Sequence, residues 1–402
     1  MDSRIQDKHI VLCVCGGIAA YKSVELLRLM IKQKANVRVI MTRHATDFVQ
    51  PLTFAALSGQ PVCTNLFEHN SDASIRHIEW AQKADAVVVA PATANFIGKL
   101  ANGIADDAAG TFMLAVTSPV IICPAMNTHM YENMAVQRNI DTLENQGYVI
   151  LEPTAGELAC GTTGPGRLPE PKNILDRIIS ILTPKNLKGK HILVTAGPTR
   201  EPIDPVRFIS NPSSGRMGFA VAKAAEHRGA NVTLIAGPTS LPAPAYVNTI
   251  RIQTADDMAC AVFEHMEHAD IIIKTAAVSD YTPVAPATQK IKKTENSMTL
   301  SLQKTKDILK EIGKRKKDQI LVGFAAETQM LEKNATQKLH SKNLDIIAGN
   351  IIGAPSSGFE VQTNQVTLFY KDGSKEALGV MDKEEVAHII LDRVLTLYPK
   401  KS

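Results

Sequence analysis

The first part of the chain alternates short apolar runs with amphipathic segments. Apolar runs predict β-strands at residues 9–14, 37–41, 85–90, 120–123 and 148–151. Helical spacing predicts helices at residues 95–100 and 130–145, and a first helix that buries Ala20, Val24, Leu27 and Ile31 while exposing Lys22. Because parallel strands need crossover helices, this alternation predicts a doubly wound α/β sheet covered on both faces.

A polar, proline-containing stretch interrupts the pattern at residues 183–189, after which the alternation restarts. Strands are predicted at residues 191–195, 232–236, 270–275, 320–324 and 345–348. Thr254 and Asp257 are spaced as a capping box, residues 366–373 indicate a hairpin, and residues 383–397 form a closing amphipathic helix. The sequence therefore predicts two tandem doubly wound domains, residues 1–183 and 190–402, joined by a linker at 184–189.

Composition fits this organisation, since 402 residues with 45% hydrophobic and 21% charged content suffice for two ordinary globular cores. The apolar runs are strand-sized, and the N-terminal residues show no signal-like stretch, so we expect a cytoplasmic protein without a membrane partner. Six cysteines without a CxxC pair are typical of reduced thiols and argue against structural zinc. Cys13 and Cys15 alternate along one strand face, which predicts burial.

The net charge is a modest +4, but basic residues cluster as KIKK at 290–293 and KRKK at 314–317. KRKK is interpreted as a solvated helix end, whereas KIKK follows a strand end, where ligand groups sit. The uneven distribution of basic residues favours anionic ligands. An aromatic content of 5% and the lack of a known module argue against nucleic-acid binding.

Ligands of open parallel sheets bind beyond the carboxyl ends of the strands, so the residues after each strand are informative. After the first strand, the run CGGIAAYK places Gly17, Ile18 and Ala19 at a helix N-terminus, where a nucleotide or flavin phosphate fits. Thr42, PATAN at 91–95 and PAMNTHM at 124–130 add polar groups to the same rim. A glycine-rich loop at 156–167 carries Cys160, which indicates either chemistry or an incidental surface cysteine.

These motifs resemble those of the FMN-dependent cysteine decarboxylases, with Tyr131 where that family often has tryptophan and PATAN in place of PASAN. The resemblance implies that His77 is the catalytic histidine, Asn127 holds the substrate carboxylate and Cys160 is a proton donor. It implies a flavodoxin-like flavoprotein domain whose FMN contacts are Gly17, Ile18, Ala19, Thr42, Ala92, Thr93 and Asn95.

A carbanion next to a carbon that bears only a saturated thiol is poorly stabilised, so decarboxylation needs an electron sink. Hydride removal by FMN from the carbon that bears sulfur would provide a thioaldehyde as this sink, and decarboxylation would leave an enethiolate that reduced flavin returns to the saturated thiol. Cys160, with an ordinary thiol pKa of about 8.5, is protonated at neutral pH and can protonate the enethiolate carbon. His77 can assist loss of the thiol proton or orient the substrate.

The second domain repeats the signature of an anion-binding rim. Ser213, Ser214 and Gly215 lie directly before a helix, whose N-terminus can receive a triphosphate. A carboxylate condenses with an amine only after activation, for example as a mixed anhydride with a nucleotide. Lys290 could then stabilise the charge that develops on phosphorus, and Mg²⁺ could bridge the phosphates, although the sequence leaves the metal ligands unknown.

Residues 191–218 strongly resemble the phosphopantothenate-cysteine ligase domain, which implies a Rossmann-like fold. The resemblance implies that CTP forms an acyl-cytidylate with 4'-phosphopantothenate, that L-cysteine attacks it, and that Asn211 clamps it. The nucleotide contacts so implied are Ser213, Ser214, Gly215, Lys274, Thr275, Ala276, Asp280, Lys290, Lys306, Asp307, Ile308, Leu309, Phe324, Lys338 and Lys342.

The order of the two domains matches the bifunctional enzymes of coenzyme A biosynthesis. That family implies a homo-oligomer of trimeric flavin units and dimeric ligase units. An alternative is a flavin-binding regulatory or interaction protein without turnover, against which the joint presence of His77, Asn127 and Cys160 argues.

Overall fold

The computed structural model describes residues 4–65, 73–157, 161, 163–292, 298–327, 329–351 and 363–398, with the backbone alone for 73–77. The chain folds as two compact units, residues 2–183 and residues 184–402. Each unit has its own sheet and its own hydrophobic cores.

The N-terminal unit alternates strands and helices for most of its length. Its strands are β1 (His9–Val14), β2 (Asn36–Met41), β3 (Val62–Cys63), β4 (Ala86–Ala92), β5 (Val120–Pro124), β6 (Val149–Ile150), β7 (Thr154–Glu157) and β8 (Thr163–Arg167). Its helices are α1 (Ala20–Lys32), α2 (Pro51–Ser58), α3 (Ala73–Lys83), α4 (Ala94–Ala101), α5 (Ala108–Ala115), α6 (Thr128–Tyr131), α7 (Met134–Asn145) and α8 (Pro171–Leu182).

The main sheet of this unit has the order β3-β2-β1-β4-β5-β6, and every neighbouring pair is parallel. Without the two-residue edge strand β3, the order is that of a flavodoxin-like sheet. The chain reverses direction across the sheet between β1 and β4, which is the position where ligands bind in such folds. The predicted doubly wound α/β fold is confirmed.

The two faces of this sheet carry separate cores, because successive strand residues point to opposite sides. Leu12 and Val88 face the layer of α1 and α8, whereas Cys13 and Val89 face the layer of α4 and α7. The predicted burial of Cys13 and Cys15 is confirmed.

Two local predictions for this unit are wrong. Lys22 is buried on α1, where its ammonium hydrogen-bonds Glu170 at 2.8 Å and the Leu168 carbonyl at 3.3 Å. The predicted helix at 130–145 is two helices, since Asn133 turns out of the helical conformation and caps α7 by accepting from the Ala135 amide at 2.9 Å.

The C-terminal unit has a larger sheet flanked by five α-helices within the described residues. Its strands are β9 (His191–Ala196), β10 (Arg200–Pro202), β11 (Phe208–Ser210), β12 (Asn231–Ala236), β13 (Asn248–Arg251), β14 (Ile271–Lys274), β15 (Tyr281–Pro283), β16 (Leu302–Lys304), β17 (Ile320–Glu327), β18 (Ile346–Ile351), β19 (Thr363–Asn364), β20 (Val366–Tyr370), β21 (Lys375–Ala377) and β22 (Met381–Asp382). Its helices are α9 (Arg216–His227), α10 (Ala255–His265), α11 (Ile308–Arg315), α12 (Leu331–Ser341) and α13 (Lys383–Thr396).

The strand order of this sheet is β13-β12-β9-β14-β17-β18-β20-β21, in which β20 and β21 are antiparallel to their neighbours and the first six strands are parallel. Those six strands reproduce the Rossmann order, with the change of direction between β9 and β14. The capping box of Thr254 and Asp257 is confirmed. The helix α11 ends at Arg315 within KRKK as predicted, but the end is not fully solvated, because the Lys316 side chain is nearly buried and pairs with Asp345 at 2.6 Å.

The packing of this unit extends back into the polar stretch before β9. Leu187 is fully buried in the core that α9 and α13 share, and the Lys185 ammonium donates to the His227 carbonyl at 2.7 Å. On the other side, Thr183 is the C-cap of α8, its hydroxyl bonding the Ile179 carbonyl at 2.7 Å.

Candidate functional site

The first candidate site lies where β1 and β4 end. The turn after β1 is tight, because a Cβ atom added at Gly16 would approach the His44 carbonyl carbon to 2.6 Å. The helix α1 then begins at the N-cap Ala19, and among the described residues no side chain hydrogen-bonds its first amides. An uncapped helix start at a sheet edge leaves amide donors for an anion.

The other predicted flavin contacts surround this helix start. The Thr42 amide binds the Val14 carbonyl at 3.0 Å, which holds the turn after β2 next to the end of β1. Thr93 caps α4 by accepting from the Phe96 amide at 3.4 Å, and its methyl group would be 3.9 Å from a Cβ at Gly17. Ala92 is buried at the end of β4, and Asn95 is exposed in the first turn of α4.

Asn127 lies at the end of β5, under the hairpin of β7 and β8. Its side-chain oxygen accepts from the His129 amide at 2.9 Å and so caps α6. The hairpin touches this cap closely, since a Cβ at Gly164 would lie 2.7 Å from the Thr128 methyl carbon. The buried Thr128 hydroxyl oxygen has no hydrogen-bond partner in the described structure.

Two predicted catalytic residues are not defined in detail. His77 belongs to α3, of which the backbone alone is described at that position. Cys160 lies outside the described residues, between β7 and β8. The uncapped α1 and the Gly16 turn nevertheless fit a phosphate-bearing cofactor at the ends of β1 and β4.

The C-terminal unit contains a cavity of about 810 Å³ at the carboxyl ends of β14, β17 and β18. Fourteen of the fifteen predicted nucleotide contacts line it, and Asn211 lines it too: the shared set is Asn211, Ser213, Ser214, Gly215, Lys274, Thr275, Ala276, Asp280, Lys306, Asp307, Ile308, Leu309, Phe324, Lys338 and Lys342. Its lining includes seven basic and two acidic side chains. Such an excess of positive charge in a concave site favours a polyanionic ligand.

One wall of the cavity is the N-terminus of α9. Gly215 is the N-cap with φ of +76°, a conformation that glycine adopts without strain, and its amide donates to the Ser213 hydroxyl at 3.3 Å. Asn211 is fixed across the cavity edge, since its side-chain amide donates to the Val278 carbonyl at 3.0 Å. This wall presents backbone amides at the positive end of a helix.

The opposite wall carries two lysines that are already ion-paired. Lys342 binds Asp307 at 2.9 Å, and Lys338 binds Glu327 at 2.7 Å. Burial opposes ionisation of the Asp307 carboxyl, but hydrogen bonds from Lys342 and the Lys310 amide outweigh it and lower the pKa of Asp307. Phe324 lines the cavity and also packs against the hydrophobic core.

Lys290 is the predicted contact that the cavity does not include. It is exposed on the segment after β15, and that segment is tied to the turn between β10 and β11. The tie is Asp204, which accepts hydrogen bonds from the amides of Ile291 at 3.2 Å and of Val206 and Arg207 at 2.8 Å.

Sequence reasoning missed several polar residues that line the same cavity. Asn350 follows the buried run of β18, and its side-chain oxygen is buried without a hydrogen-bond partner in the described structure. Arg216, Asn364 and Lys383 complete this end of the cavity. Asn350 could have been predicted, since it follows the predicted strand at residues 345–348, at the end of the sheet where ligands bind. Arg216, Asn364 and Lys383 could not, because they lie at helix starts and in a two-residue strand, which no sequence pattern marks as part of a site.

Among the described residues there is no group of three or more His, Cys, Asp or Glu side chains placed to hold a metal ion. Nor does any helix in that part of the chain have the length and apolar character that a membrane span requires.

Comparison with known proteins agrees with this two-part architecture. Residues 2–183 match the Flavoprotein family, and residues 187–398 match the DNA/pantothenate metabolism flavoprotein C-terminal domain. The coenzyme A biosynthesis bifunctional protein CoaBC of Bacillus subtilis is 51% identical over 98% of both chains. CoaBC of Escherichia coli K12 is 44% identical, also over 98% of both chains.

Two solved structures each cover about half of this chain. The crystal structure of the C-terminal domain of CoaBC is 44% identical, covers 52% of this chain and 96% of that one, and gives a TM-score of 0.46. The FMN-dependent cysteine decarboxylase SpaF is 29% identical, with 44% and 97% coverage and a TM-score of 0.39.

A flavoprotein joined to a pantothenate-metabolism domain is the class that these matches define. The chain belongs to the family of coenzyme A biosynthesis bifunctional proteins, as its near full-length identity to CoaBC shows. The family expected from the sequence motifs is therefore confirmed, and with it an enzyme that has ligase and decarboxylase activities.

Proposed function

We propose that the C-terminal unit joins 4'-phosphopantothenate to L-cysteine with CTP, and that the N-terminal unit decarboxylates the product to 4'-phosphopantetheine with FMN. The domain assignment follows the same division: residues 1–183 for the decarboxylase, 184–189 for the connection and 190–402 for the ligase. The observation that carries the ligase proposal is the cavity with seven basic side chains beside the N-terminus of α9.

The ligase reaction brings two anions together, a nucleoside triphosphate and a phosphorylated carboxylate. The amides at Ser213–Gly215 suit one phosphate group, because they lie at the positive end of the α9 dipole. Lys306, Lys338 and Lys342 supply positive charge on the other wall. Attack of the carboxylate on the α-phosphate then yields an acyl-cytidylate and pyrophosphate, and the amine of cysteine displaces CMP.

Three further residues receive roles in this proposal. Asn211 presents its amide beside the α9 start and would clamp the acyl-cytidylate. Lys290 would stabilise charge on the α-phosphate. Asn350, whose buried oxygen lacks a partner within the described residues, would accept a hydrogen bond from the nucleotide.

The position of Lys290 supports the dimeric ligase unit implied by the family resemblance. Lys290 does not line the cavity of its own unit, so a second copy is the simplest source of this ammonium group. Exposed apolar side chains on the β10–β11 and β15–β16 hairpins, among them Phe208, Tyr281 and Leu302, suit a subunit contact. Mg²⁺ would accompany the triphosphate, with ligands that include phosphate oxygens.

In the decarboxylase unit, bound FMN would supply hydride acceptance and return. The residues of the chain bind, orient and protonate around it. The start of α1 with Thr42 and Thr93 would hold the phosphate-bearing cofactor, and Asn127 would hold the substrate carboxylate. His77 would assist loss of the thiol proton, and Cys160 would donate a proton to the enethiolate carbon after carbon dioxide leaves. The family resemblance implies trimeric flavin units.

A coupled assay on the full-length protein tests both halves. With 4'-phosphopantothenate, cysteine, Mg²⁺ and CTP, we expect release of pyrophosphate and then of carbon dioxide, and the purified protein should be yellow. Turnover with ATP but not with CTP would overturn the nucleotide assignment. A yellow protein that catalyses neither reaction would instead support a flavin-binding regulatory role.

A further inference from the structure

Lys274 occupies an unusual place in the sheet of the C-terminal unit. It ends β14, beside Thr195 of β9 and Gly323 of β17. Because strand residues alternate, Lys274 projects to the same face as Ile272, which packs in the core under α10, α11 and α12. A charged side chain therefore stands where the pattern of β14 would place an apolar one.

Three charged side chains act on Lys274 from segments around the end of β14. Asp280 follows β14, Asp307 caps α11 and Lys342 follows α12. The two adjacent strand positions, Thr195 and Gly323, carry no charge. Asp307 is engaged by Lys342 and by the Lys310 amide, and in the described structure the Lys274 ammonium makes no hydrogen bond or ion pair.

Lys274 differs in this respect from Lys338 and Lys342, which also line the cavity. Lys338 and Lys342 each hold a carboxylate partner, so a ligand that binds them competes with a protein anion. An unpaired ammonium that lines a cavity and is partly buried is unfavourable, unless a ligand supplies the missing negative charge.

We propose that the Lys274 side chain has a bound ligand, and not a protein carboxylate, as its counter-ion. Binding of a nucleoside triphosphate in this cavity then draws a proton from solvent onto the Lys274 amine. The proposal rests on the proposed ligase function, because it takes the triphosphate as the anion. It adds a thermodynamic consequence, which is that nucleotide affinity and proton uptake are linked at this one side chain.

The electrostatics of the site set the pH at which the linkage is visible. Burial first, and repulsion by Lys342 second, lower the pKa of Lys274 to about 8, while Asp307 and Asp280 oppose the shift. At pH 8 roughly half of the free enzyme would carry a neutral amine. A bound polyphosphate favours the charged form and raises this pKa again, so about half a proton is taken up per site.

Calorimetric titration of the full-length protein with CTP, without 4'-phosphopantothenate or cysteine, measures this uptake. The titration is run at pH 8 in Tris and in HEPES, whose ionisation enthalpies differ, so the difference in apparent binding heat gives the protons exchanged. We expect uptake of about half a proton at pH 8 and little at pH 6.

A pair of variants separates charge from titration. Lys274→Arg keeps the cation but cannot titrate in this range, so it should bind CTP without the proton uptake. Lys274→Met should also lose the uptake and bind CTP at least about 10-fold more weakly, the usual loss for a removed charged hydrogen bond. Lys317→Met, an exposed lysine outside the cavity, serves as the control and should retain both uptake and affinity.

The outcomes distinguish this inference from the function on which it rests. If the wild-type protein fails to bind CTP, the proposed function is wrong. If wild type and both Lys274 variants bind CTP with the same proton uptake, the ligase site stands and the role of Lys274 is refuted.

Discussion

The backbones of Gly166 and Met126 are in direct contact where the β7–β8 hairpin meets the segment after β5. The Met126 amide donates to the Gly166 carbonyl at 3.0 Å, and the Met126 carbonyl oxygen occupies the space that a Cβ at residue 166 would need. Gly166 also has φ of +142°. The hairpin is thus seated directly against the segment that carries Asn127.

Gly166→Ala should displace the β7–β8 hairpin from the segment that contains Met126 and Asn127. A side chain there meets backbone and adopts a strained conformation that costs on the order of 1–3 kcal/mol. We expect the decarboxylase rate with supplied 4'-phosphopantothenoylcysteine to fall about 10-fold or more, and the ligase rate to stay near wild type. Gly98→Ala, on α4 with ordinary contacts at 3.5 Å, is the matched control. Equal rates in both variants would show that the hairpin does not position substrate.

Cys160→Ser should stop the decarboxylase after carbon dioxide has left. A serine hydroxyl is a much weaker acid than a thiol, so protonation of the enethiolate carbon should slow by roughly 100-fold or more. Single-turnover measurements should show a burst of carbon dioxide, a flavin that stays bleached and a bound enethiol. Cys260→Ser, an exposed cysteine of the ligase unit, should turn over normally. Normal product formation by Cys160→Ser would contradict the assignment.

Asn350→Leu should weaken nucleotide binding without weakening the fold. Its buried oxygen makes no hydrogen bond in the described structure, so its removal relieves a desolvation penalty in the free protein. We expect the KM for CTP to rise about 10-fold and the melting temperature to stay equal or increase. Asn231→Leu, at the exposed start of β12, controls for the substitution itself. A lower melting temperature with an unchanged KM would make Asn350 a structural residue.

Asp204→Asn should loosen the segment that carries Lys290. Burial raises the pKa of Asp204, but hydrogen bonds from the Val206, Arg207 and Ile291 amides outweigh it, so the pKa is lowered. A lowered folded pKa means that the carboxylate stabilises the fold above its unfolded pKa of about 3.9, and that this stabilisation is lost as pH falls through the folded value.

The wild-type ligase unit should therefore lose stability in acid through this group, and Asp204→Asn should be less stable at pH 7 and less sensitive to acid. Ligase activity should fall by roughly 10-fold or more, because small displacements of a positioned group are costly. Thermal melts from pH 3 to pH 7 and the pyrophosphate assay measure the two effects. Asp318→Asn, an exposed aspartate, should change neither.

The hydrophobic pattern predicted the parallel strands well, because a strand buried on both faces is a nearly continuous apolar run. The start of β1 at His9 and its end at Val14 agree with the prediction to the residue. The prediction that Lys22 is exposed was wrong because a lysine on a helix is ordinarily exposed, and because its partner Glu170 is 148 residues away in the sequence. The interruption of the predicted helix at Asn133 was missed because apolar residues on both sides of it keep helical spacing.

The candidate site divides in the same way. Thr275 and Asp280 were implied by the family resemblance, and both line the cavity because they follow β14, at the end of the sheet where the topology brings strand ends together. Lys383 was not found, since it reaches the cavity from the first turn of α13, which the sequence presents as an ordinary amphipathic helix. The hairpins β10–β11 and β15–β16 were missed because each strand has three residues, too few for a periodic signal.

The placement of Thr183 and Leu187 bears on how such an enzyme can be encoded. Thr183 closes the last helix of one unit, and Leu187 is already buried in the other, so only a few residues separate two self-contained hydrophobic interiors. A stop and a new start between these positions would expose neither interior. We therefore expect the two activities to be compatible with one gene or with two. Complementation with the two halves expressed separately tests this expectation.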